Sequence, residues 1–125
     1  MSVIIAGSRD LEITIEELDL IITESQFEIK KLINGLCPTG IDAVALKWAN
    51  KNNIPIETYK AEWEKYGKSA GPKRNKLMAS KAEKLIAIYK KNALTPGTRN
   101  MIEEAQVKKL IVFIKVHECF HAPSY

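Results

Sequence analysis

The segment VIIAGSRD, residues 3–10, indicates how this chain folds. Its four apolar residues end at Gly7, and a short apolar run closed by glycine is typical of a buried strand followed by a tight loop. Apolar residues at helical spacing over 15–22 predict a helix directly afterwards. A strand that leads into a helix is the repeating unit of an α/β protein, so the rest of the chain should repeat it.

The alternation of strands and helices continues to the end of the chain. Because the strands are apolar on both faces, they predict a parallel sheet with helices on either side. We therefore expect an α/β fold, a Rossmann-like three-layer sandwich with a five-stranded, mainly parallel sheet, over residues 1–116, and an irregular tail at 117–125. The further predicted strands lie at 29–33, 54–59, 85–89 and 110–116, and the further predicted helices at 43–50, 72–80 and 97–107. Residues 63–71 are predicted to form a longer connection.

Composition places the chain among single-domain proteins. It has 125 residues, of which 46% are hydrophobic and 27% charged, which is enough apolar material for one core. Two cysteines do not make a disulfide scaffold, no apolar stretch has the length of a membrane span, and no signal peptide is visible, so we expect a soluble cytoplasmic protein. The net charge of +4 suits an anionic partner, but lysines spread along the chain do not predict nucleic-acid binding.

Three loops follow predicted strands or open predicted helices, at residues 7–10, 34–42 and 96–98. In parallel sheets of this kind, ligands bind outside the carboxyl ends of the strands. Glycine lets the backbone approach a ligand, and the free N–H groups at a helix start favour phosphate. The dinucleotide fingerprint and the P-loop ending are both absent, so we expect no nicotinamide chemistry, no Walker-type ATP hydrolysis and no cofactor.

A fourth feature is the segment GPKRN at residues 71–75. Proline suits the first turn of a helix, so the segment predicts a helix start with Arg74 and Asn75 in its first turn. A cation there opposes the helix dipole. Arg74 therefore indicates an anionic partner, and a surface ion pair is the alternative.

These features together resemble the YspA-like branch of the SLOG superfamily, which is related to the Lonely Guy phosphoribohydrolases. The resemblance rests on an ordered set of motifs: GSRD at 7–10, CPTGID at 37–42, the residues Trp-x-x-Tyr-Gly-Lys-x-Ala-Gly-Pro-x-Arg-Asn-x-x-Met at 63–78, and GTRNMI at 97–102. It implies a Rossmann-like domain with a nucleotide-derived ligand at the strand ends. The second loop often reads Gly-Gly in this branch, whereas it is Asn34-Gly35-Leu36 here.

The resemblance also bears on activity. Lonely Guy enzymes cut the base from a nucleoside monophosphate, and other relatives are associated with sensing or sequestering nucleotide signals in conflicts between bacteria and their invaders. Met101 stands at the position of the catalytic glutamate of those enzymes, and Glu103 and Glu104 lie further along the same helix. We therefore expect a protein that holds its ligand. An N-glycosidic hydrolase with Glu103 or Glu104 as the acid is the alternative.

The expected ligand is a nucleotide or an ADP-ribose-like molecule, with its phosphate on backbone N–H groups of two loops. Arg9 and Arg74 would supply positive charge and Asn75 a polar contact. The full set of expected ligand-binding residues is Gly7, Ser8, Arg9, Gly35, Thr39, Gly40, Asp42, Arg74, Asn75, Gly97 and Thr98, of which Gly7, Ser8, Gly97 and Thr98 supply the N–H groups.

Several side chains have two interpretations. Asp42 either contacts a ribose or, three residues after Thr39, completes a variant of the capping box. Trp63 and Tyr66 either stack on a base or pack under a loop. Trp48 is expected in the core, and Cys37 as a buried, inert thiol.

Two further expectations concern the tail and the surface. His117, Cys119 and His121 are metal-capable, but a structural zinc site needs a fourth ligand, so we expect no metal. Ile22 and Phe27 would suit a homo-oligomer face or, equally, the core.

Overall fold

The computed structural model describes residues 1–118, which form a five-stranded, all-parallel sheet with helices on both faces. The strand order is β3-β2-β1-β4-β5, so the direction of strand addition reverses between β1 and β4. The predicted Rossmann-like α/β fold is confirmed. In chain order the elements are β1 (Ser2–Gly7), α1 (Ile15–Ser25), β2 (Lys31–Asn34), α2 (Gly40–Lys51), β3 (Ile56–Thr58), α3 (Trp63–Tyr66), a 3-10 turn (Gly67–Ser69), α4 (Ala70–Lys81), β4 (Lys84–Lys90), α5 (Pro96–Val107) and β5 (Ile111–His117).

Two apolar cores lie on the two faces of the sheet. One holds the inner sides of α1 and α2, including Trp48, as predicted. The other holds the inner sides of α4 and α5, including Met78 and Met101. Ile22 is buried in the first core, and Phe27 packs edge-on against Phe113 with ring centroids 6.4 Å apart, so these two residues belong to the core and form no exposed dimer face.

The start of α4 differs from the prediction. The helix begins at Ala70, and the preceding residues form α3 and the 3-10 turn, where the sequence predicts a longer connection. Pro72 still lies in the first turn of α4, but Arg74 and Asn75 fall in the second turn. The prediction that Arg74 opposes the dipole from the first turn is therefore wrong, and the role of its charge depends on what surrounds it.

The capping box predicted at Thr39 is also wrong. The Thr39 hydroxyl donates to the carbonyl of Arg9 at 2.8 Å, and the Asp42 carboxylate accepts from the backbone N–H of Cys37 at 3.1 Å. Neither side chain caps α2. A capping box does exist at the start of α1, where Thr14 and Glu17 have the expected spacing.

Strand β5 extends to His117, one residue into the expected tail. Of the metal-capable residues named above, Cys119 and His121 lie outside the described residues. Within residues 1–118, no helix is long and apolar enough to span a bilayer.

Candidate functional site

A cavity of about 470 Å³ lies at the carboxyl edge of the sheet, beside the ends of β1 and β4. Its walls come from the end of β1 and the loop after it, from Cys37 and Asp42 around the start of α2, from α4 and from the start of α5. This is the point where the strand order reverses, and loops on the two sides of a reversal diverge and leave a crevice. The volume is within the range of small-molecule sites.

The loop after β1 is clamped by backbone contacts on both sides. The N–H of Ser8 donates to the carbonyl of Ile88 at 3.2 Å, and the carbonyl of Ser8 accepts from the N–H of Ile41 at 3.3 Å. A Cβ on Gly7 would collide with the Ile88 carbonyl and would lie 2.7 Å from the Ile41 side chain. Only glycine fits this close approach, and the N–H of Ser8 is already used.

Gly40 holds α2 against the same loop. Its φ of +69° is in the left-handed region, and a Cβ there would lie 2.6 Å from the carbonyl oxygen of Arg9. The hydroxyl of Ser8 is buried beneath this contact region and has no hydrogen-bond partner among residues 1–118. Ser8, Thr39 and Gly40 thus support the cavity wall from behind and do not line it.

The first turn of α5 forms the opposite wall. Thr95 caps the helix by accepting from the N–H of Thr98 at 3.4 Å, and the N–H of Arg99 bonds the Thr95 carbonyl at 2.9 Å. Pro96 has no N–H. The backbone N–H of Gly97 is therefore the first-turn donor of α5 that has no partner among the described residues. A Cβ added to Gly97 would meet no atom within 4 Å, which shows that this position faces open space.

Asn75 joins α4 to α5 at the floor of the cavity. Its amide nitrogen donates to Oδ1 of Asn100 at 2.9 Å and, more weakly, to the carbonyl of Gly97 at 3.4 Å. Its carbonyl oxygen accepts from Nε of Arg74 at 3.2 Å. All four residues line the cavity. Asn75 is therefore a positioning residue that fixes the Arg74 side chain and the start of α5 relative to each other.

Arg74 is a half-buried cation. Its Nη1 donates to the carbonyl of Gly35 at 2.7 Å. Burial lowers the pKa of the Arg74 guanidinium, the Asp42 carboxylate nearby raises it, and the like charge of Arg9 lowers it further. An arginine stays protonated despite such shifts, so α4 places a partly desolvated positive charge on the cavity.

Asp42 is a buried carboxyl group in the same wall. Burial raises the pKa of Asp42, while the hydrogen bond from the Cys37 N–H and the charges of Arg74 and Arg9 lower it. Burial is the largest of these effects. The Asp42 carboxyl is thus less acidic than an exposed aspartate even though two arginines lie near it.

The loop after β2 is shaped by Asn34, which the sequence interpretation did not single out. The buried side chain of Asn34 donates to the Asp42 carbonyl at 3.0 Å and accepts from the N–H of Leu36 at 2.7 Å. This turn directs the Gly35 carbonyl to Arg74 and leaves Leu36 with a φ of +59°. An asparagine whose side chain bonds the backbone two residues further on is a recognised turn signal. The turn at Asn34 could therefore have been predicted from the sequence.

Trp63 forms the outer wall of the cavity. Its side chain is 49% exposed, and the tip of the indole lies over Gly71, where a Cβ would be 3.3 Å from Cη2. The guanidinium of Arg9 lies 5.8 Å from the centroid of the ring. Tyr66 is also exposed but does not line the cavity. Neither residue is buried under a loop, and Trp63, unlike Tyr66, lines the cavity.

The structure brings most of the predicted ligand-binding residues together. Gly35 lies behind the wall with the three supporting residues named above, and Cys37 is a half-buried lining residue where a buried thiol was expected. Glu103 and Glu104 do not line the cavity. The predicted residues that line it are Gly7, Arg9, Asp42, Arg74, Asn75, Gly97 and Thr98. Lining residues outside that predicted set include Asp10 and Cys37, which stand in loops predicted to lie at this edge, and also Lys68, Met78 and Asn100.

A doubly wound sheet with a cavity at its switch point defines a class of α/β ligand-binding domain. Residues 1–66 match the model of the YspA, cpYpsA-related SLOG family, and the chain belongs to that family. Membership indicates nucleotide-related ligand binding or a glycosidase-like activity. No curated protein and no solved structure matches the chain. The family match covers the loops after β1 and β2, whereas the cavity walls from α4 and α5 lie beyond it.

Proposed function

We propose that this protein binds a phosphate-bearing, nucleotide-like small molecule in the cavity and holds it without cleaving it. The observation that carries the proposal is the pair of arginines on the cavity wall. Within residues 1–118, neither Arg9 nor Arg74 has a carboxylate oxygen within 4.0 Å. Two cations that share a concave site and lack ion pairs favour an anionic ligand.

The chemistry of the walls suits the parts of a nucleotide. A phosphate between the Gly97 N–H and the two guanidiniums would gain a helix-start donor and charge-assisted hydrogen bonds. The exposed face of Trp63 offers a stacking surface for a base, and Asp42 offers a carboxyl acceptor for ribose hydroxyls. Family membership supports the nucleotide character of the ligand.

Holding is favoured over cleavage because of the side chains at the start of α5. Met101 is buried and lines the cavity where, by the family resemblance, a hydrolase would place its glutamate. Glu103 is exposed and does not line the cavity, and neither does Glu104. Of the two carboxylates that do line it, Asp10 pairs with Lys90 at 3.2 Å and Asp42 accepts from Cys37. Sensing or sequestering a nucleotide or ADP-ribose-like signal in the cytoplasm follows as the proposed role.

Calorimetry with adenosine monophosphate and ADP-ribose tests the binding. Arg9→Gln is expected to weaken affinity roughly tenfold or more, since hydrogen bonds to charged groups contribute about 1.5–3 kcal/mol. Arg99→Gln is the matched control because Arg99 is an exposed arginine in α5 that does not line the cavity. Absence of binding by the folded protein at about 1 mM ligand, or equal losses in both variants, would overturn the proposal.

Cleavage is tested separately by incubating the protein with adenosine monophosphate and following free adenine by chromatography. We expect none to be released. Release that disappears in Glu103→Gln, Glu104→Gln or Asp42→Asn would instead establish the N-glycosidic hydrolase and identify its acid.

A further inference from the structure

The positive charge of the chain is concentrated beside the cavity. Residues 63–81 contain six lysine and arginine side chains and one carboxylate, Glu64, so this segment alone exceeds the net charge of +4 of the whole chain. The segment comprises α3, the 3-10 turn and α4. The remainder of the protein is close to electrically balanced, which makes this surface distinct.

In the described part of the chain, ion pairs are common among the lysines outside this segment and absent from those within it. Six lysines outside it, at positions 30, 31, 51, 90, 91 and 115, each have a carboxylate oxygen within 4.0 Å. Within residues 1–118, none of the lysines of residues 63–81 has one. The ammonium groups of Lys65 and Lys73 lie 5.1 Å and 4.8 Å from the centroid of the Tyr66 ring, which gathers them at one place.

This cluster is continuous with the cavity. Lys68 lines the cavity together with Trp63 and Gly71, and it lies in the turn between Tyr66 and α4. We call the surface formed by Lys65, Tyr66, Lys68 and Lys73 the basic rim. An anionic group that extends out of the cavity past Lys68 would enter a region where lysines outnumber carboxylates.

We propose that the ligand carries a second phosphate, bound at the basic rim, so that it is a nucleotide with a diphosphate or longer phosphate chain. This inference rests on the proposed function and deepens it. A cavity of about 470 Å³ holds one compact small molecule. The size of the cavity therefore favours a small polyphosphate ligand over a polynucleotide.

Calorimetry with adenosine mono-, di- and triphosphate tests the second phosphate. The wild-type protein should bind the diphosphate roughly tenfold or more tightly than the monophosphate. The double variant Lys65→Gln/Lys73→Gln, at two lysines of the basic rim that do not line the cavity, should lose that preference and keep its affinity for the monophosphate. Lys47→Gln/Lys108→Gln removes the same charge from two exposed lysines away from the cavity, and it should retain the preference.

Three outcomes would overturn the second phosphate. One is equal affinity for mono- and diphosphate, and another is equal behaviour of the two double variants. The third is an oligothymidylate of about twelve nucleotides that binds more tightly than the diphosphate and whose binding depends on the rim, since that would make the partner a single-stranded nucleic acid. Binding of the monophosphate would in each case leave the proposed function intact.

A separate observation concerns β5, which is an edge strand of the sheet. The N–H of Ile111 donates to Glu83 and the carbonyl of His117 accepts from Lys91, so the odd-numbered residues of β5 bond towards β4. By the two-residue repeat of a ladder, the N–H and C=O groups of Val112, Ile114 and Val116 point outwards, and no described residue pairs with them. Ile111, Ile114 and Val116 are also 58%, 43% and 39% exposed.

We infer that a second copy of this chain pairs antiparallel with β5 about a two-fold axis at Ile114. This register overlaps all seven residues of the strand and joins the outward groups in six hydrogen bonds. It places Lys115 opposite Phe113 of the second copy, whereas an axis at Lys115 would set two lysines face to face. An apolar edge that is complementary to itself in this way is a template for its own copy.

Sedimentation equilibrium at about 100 μM tests the pairing, with a dimer expected for the wild-type chain. Ile114→Lys should yield a monomer, because the axis would set two lysines opposite each other. Leu20→Lys, at a 70% exposed leucine of α1, should stay dimeric. A monomeric wild-type chain would overturn the inference. If removal of residues 119–125 then produced a dimer, the edge would be covered by the chain's own tail.

Discussion

At the scale of single residues, Leu36 shows how the site strains its backbone. Its φ of +59° is unfavourable for leucine by roughly 1–2 kcal/mol, and its side chain is exposed enough to contribute little packing. Leu36→Gly should therefore raise the free energy of unfolding by about 1 kcal/mol, measured by urea denaturation. Leu36→Ala keeps the strain and should leave stability nearly unchanged. A less stable glycine variant would show that the leucine side chain contributes packing that outweighs the strain.

Asp42 provides a pH-dependent prediction at the same scale. Burial raises its pKa above the ordinary 3.8, so the folded state holds a proton on Asp42 more readily than the unfolded state does. The charged carboxylate therefore costs stability at neutral pH, and this cost disappears as the pH falls through the raised pKa towards 3.8. Asp42→Asn retains an oxygen for the Cys37 N–H and has no charge to bury.

The variant Asp42→Asn should accordingly be more stable than the wild type at about pH 7, with the difference shrinking as the pH is lowered towards about 4.5. Urea unfolding curves across that range measure it. A difference that grows on acidification would mean that Arg74 and Arg9, and not burial, dominate the environment of Asp42.

At the scale of elements, different substitutions at the start of α5 should affect protein stability and ligand binding separately. Gly97 lies in the first turn of the helix without a positive φ, and a Cβ there meets nothing within 4 Å. Gly97→Ala should raise stability by about 0.5 kcal/mol through helix propensity. Gly97→Leu should fold as well but weaken monophosphate binding roughly tenfold, because a longer side chain covers the donor N–H. Unchanged affinity in the leucine variant would show that the phosphate does not bind at the start of α5.

The elements also show which parts of the fold could be predicted from the sequence. Strands were predictable because buried parallel strands are continuous apolar runs, and the Thr14–Glu17 capping box of α1 is visible in the sequence. The cap proposed at Thr39 failed because its hydroxyl bonds Arg9, thirty residues away along the chain. Such long-range partners are chosen by tertiary structure, which local spacing does not encode.

At the scale of the whole molecule, strand order decides which loops meet. The alternation of strands and helices predicted a doubly wound sheet, and the carboxyl edge followed from it. The order β3-β2-β1-β4-β5 then brings α4 and α5 together on one face, and their side chains form most of the cavity. The loop after β2 was expected to supply much of the site. Gly35, Thr39 and Gly40 instead support the cavity wall from behind and do not line the cavity. Lys68 and Asn100 were missed because their proximity arises only from this packing.

Because the cavity joins three separate elements, ligand binding should protect all of them together. Amide hydrogen exchange in α4, at the start of α5 and in the loop after β1 should slow when the diphosphate is present at about a hundred times its Kd, since openings that release the ligand then cost about 2.7 kcal/mol more. Exchange in α1 (Ile15–Ser25), none of which lines the cavity, should slow less. Arg9→Gln under the same ligand concentration, with roughly tenfold weaker binding, should lose about half of that 2.7 kcal/mol. Protection centred instead on the groove between α1 and α2 around Trp48 would place the ligand on the opposite face of the sheet.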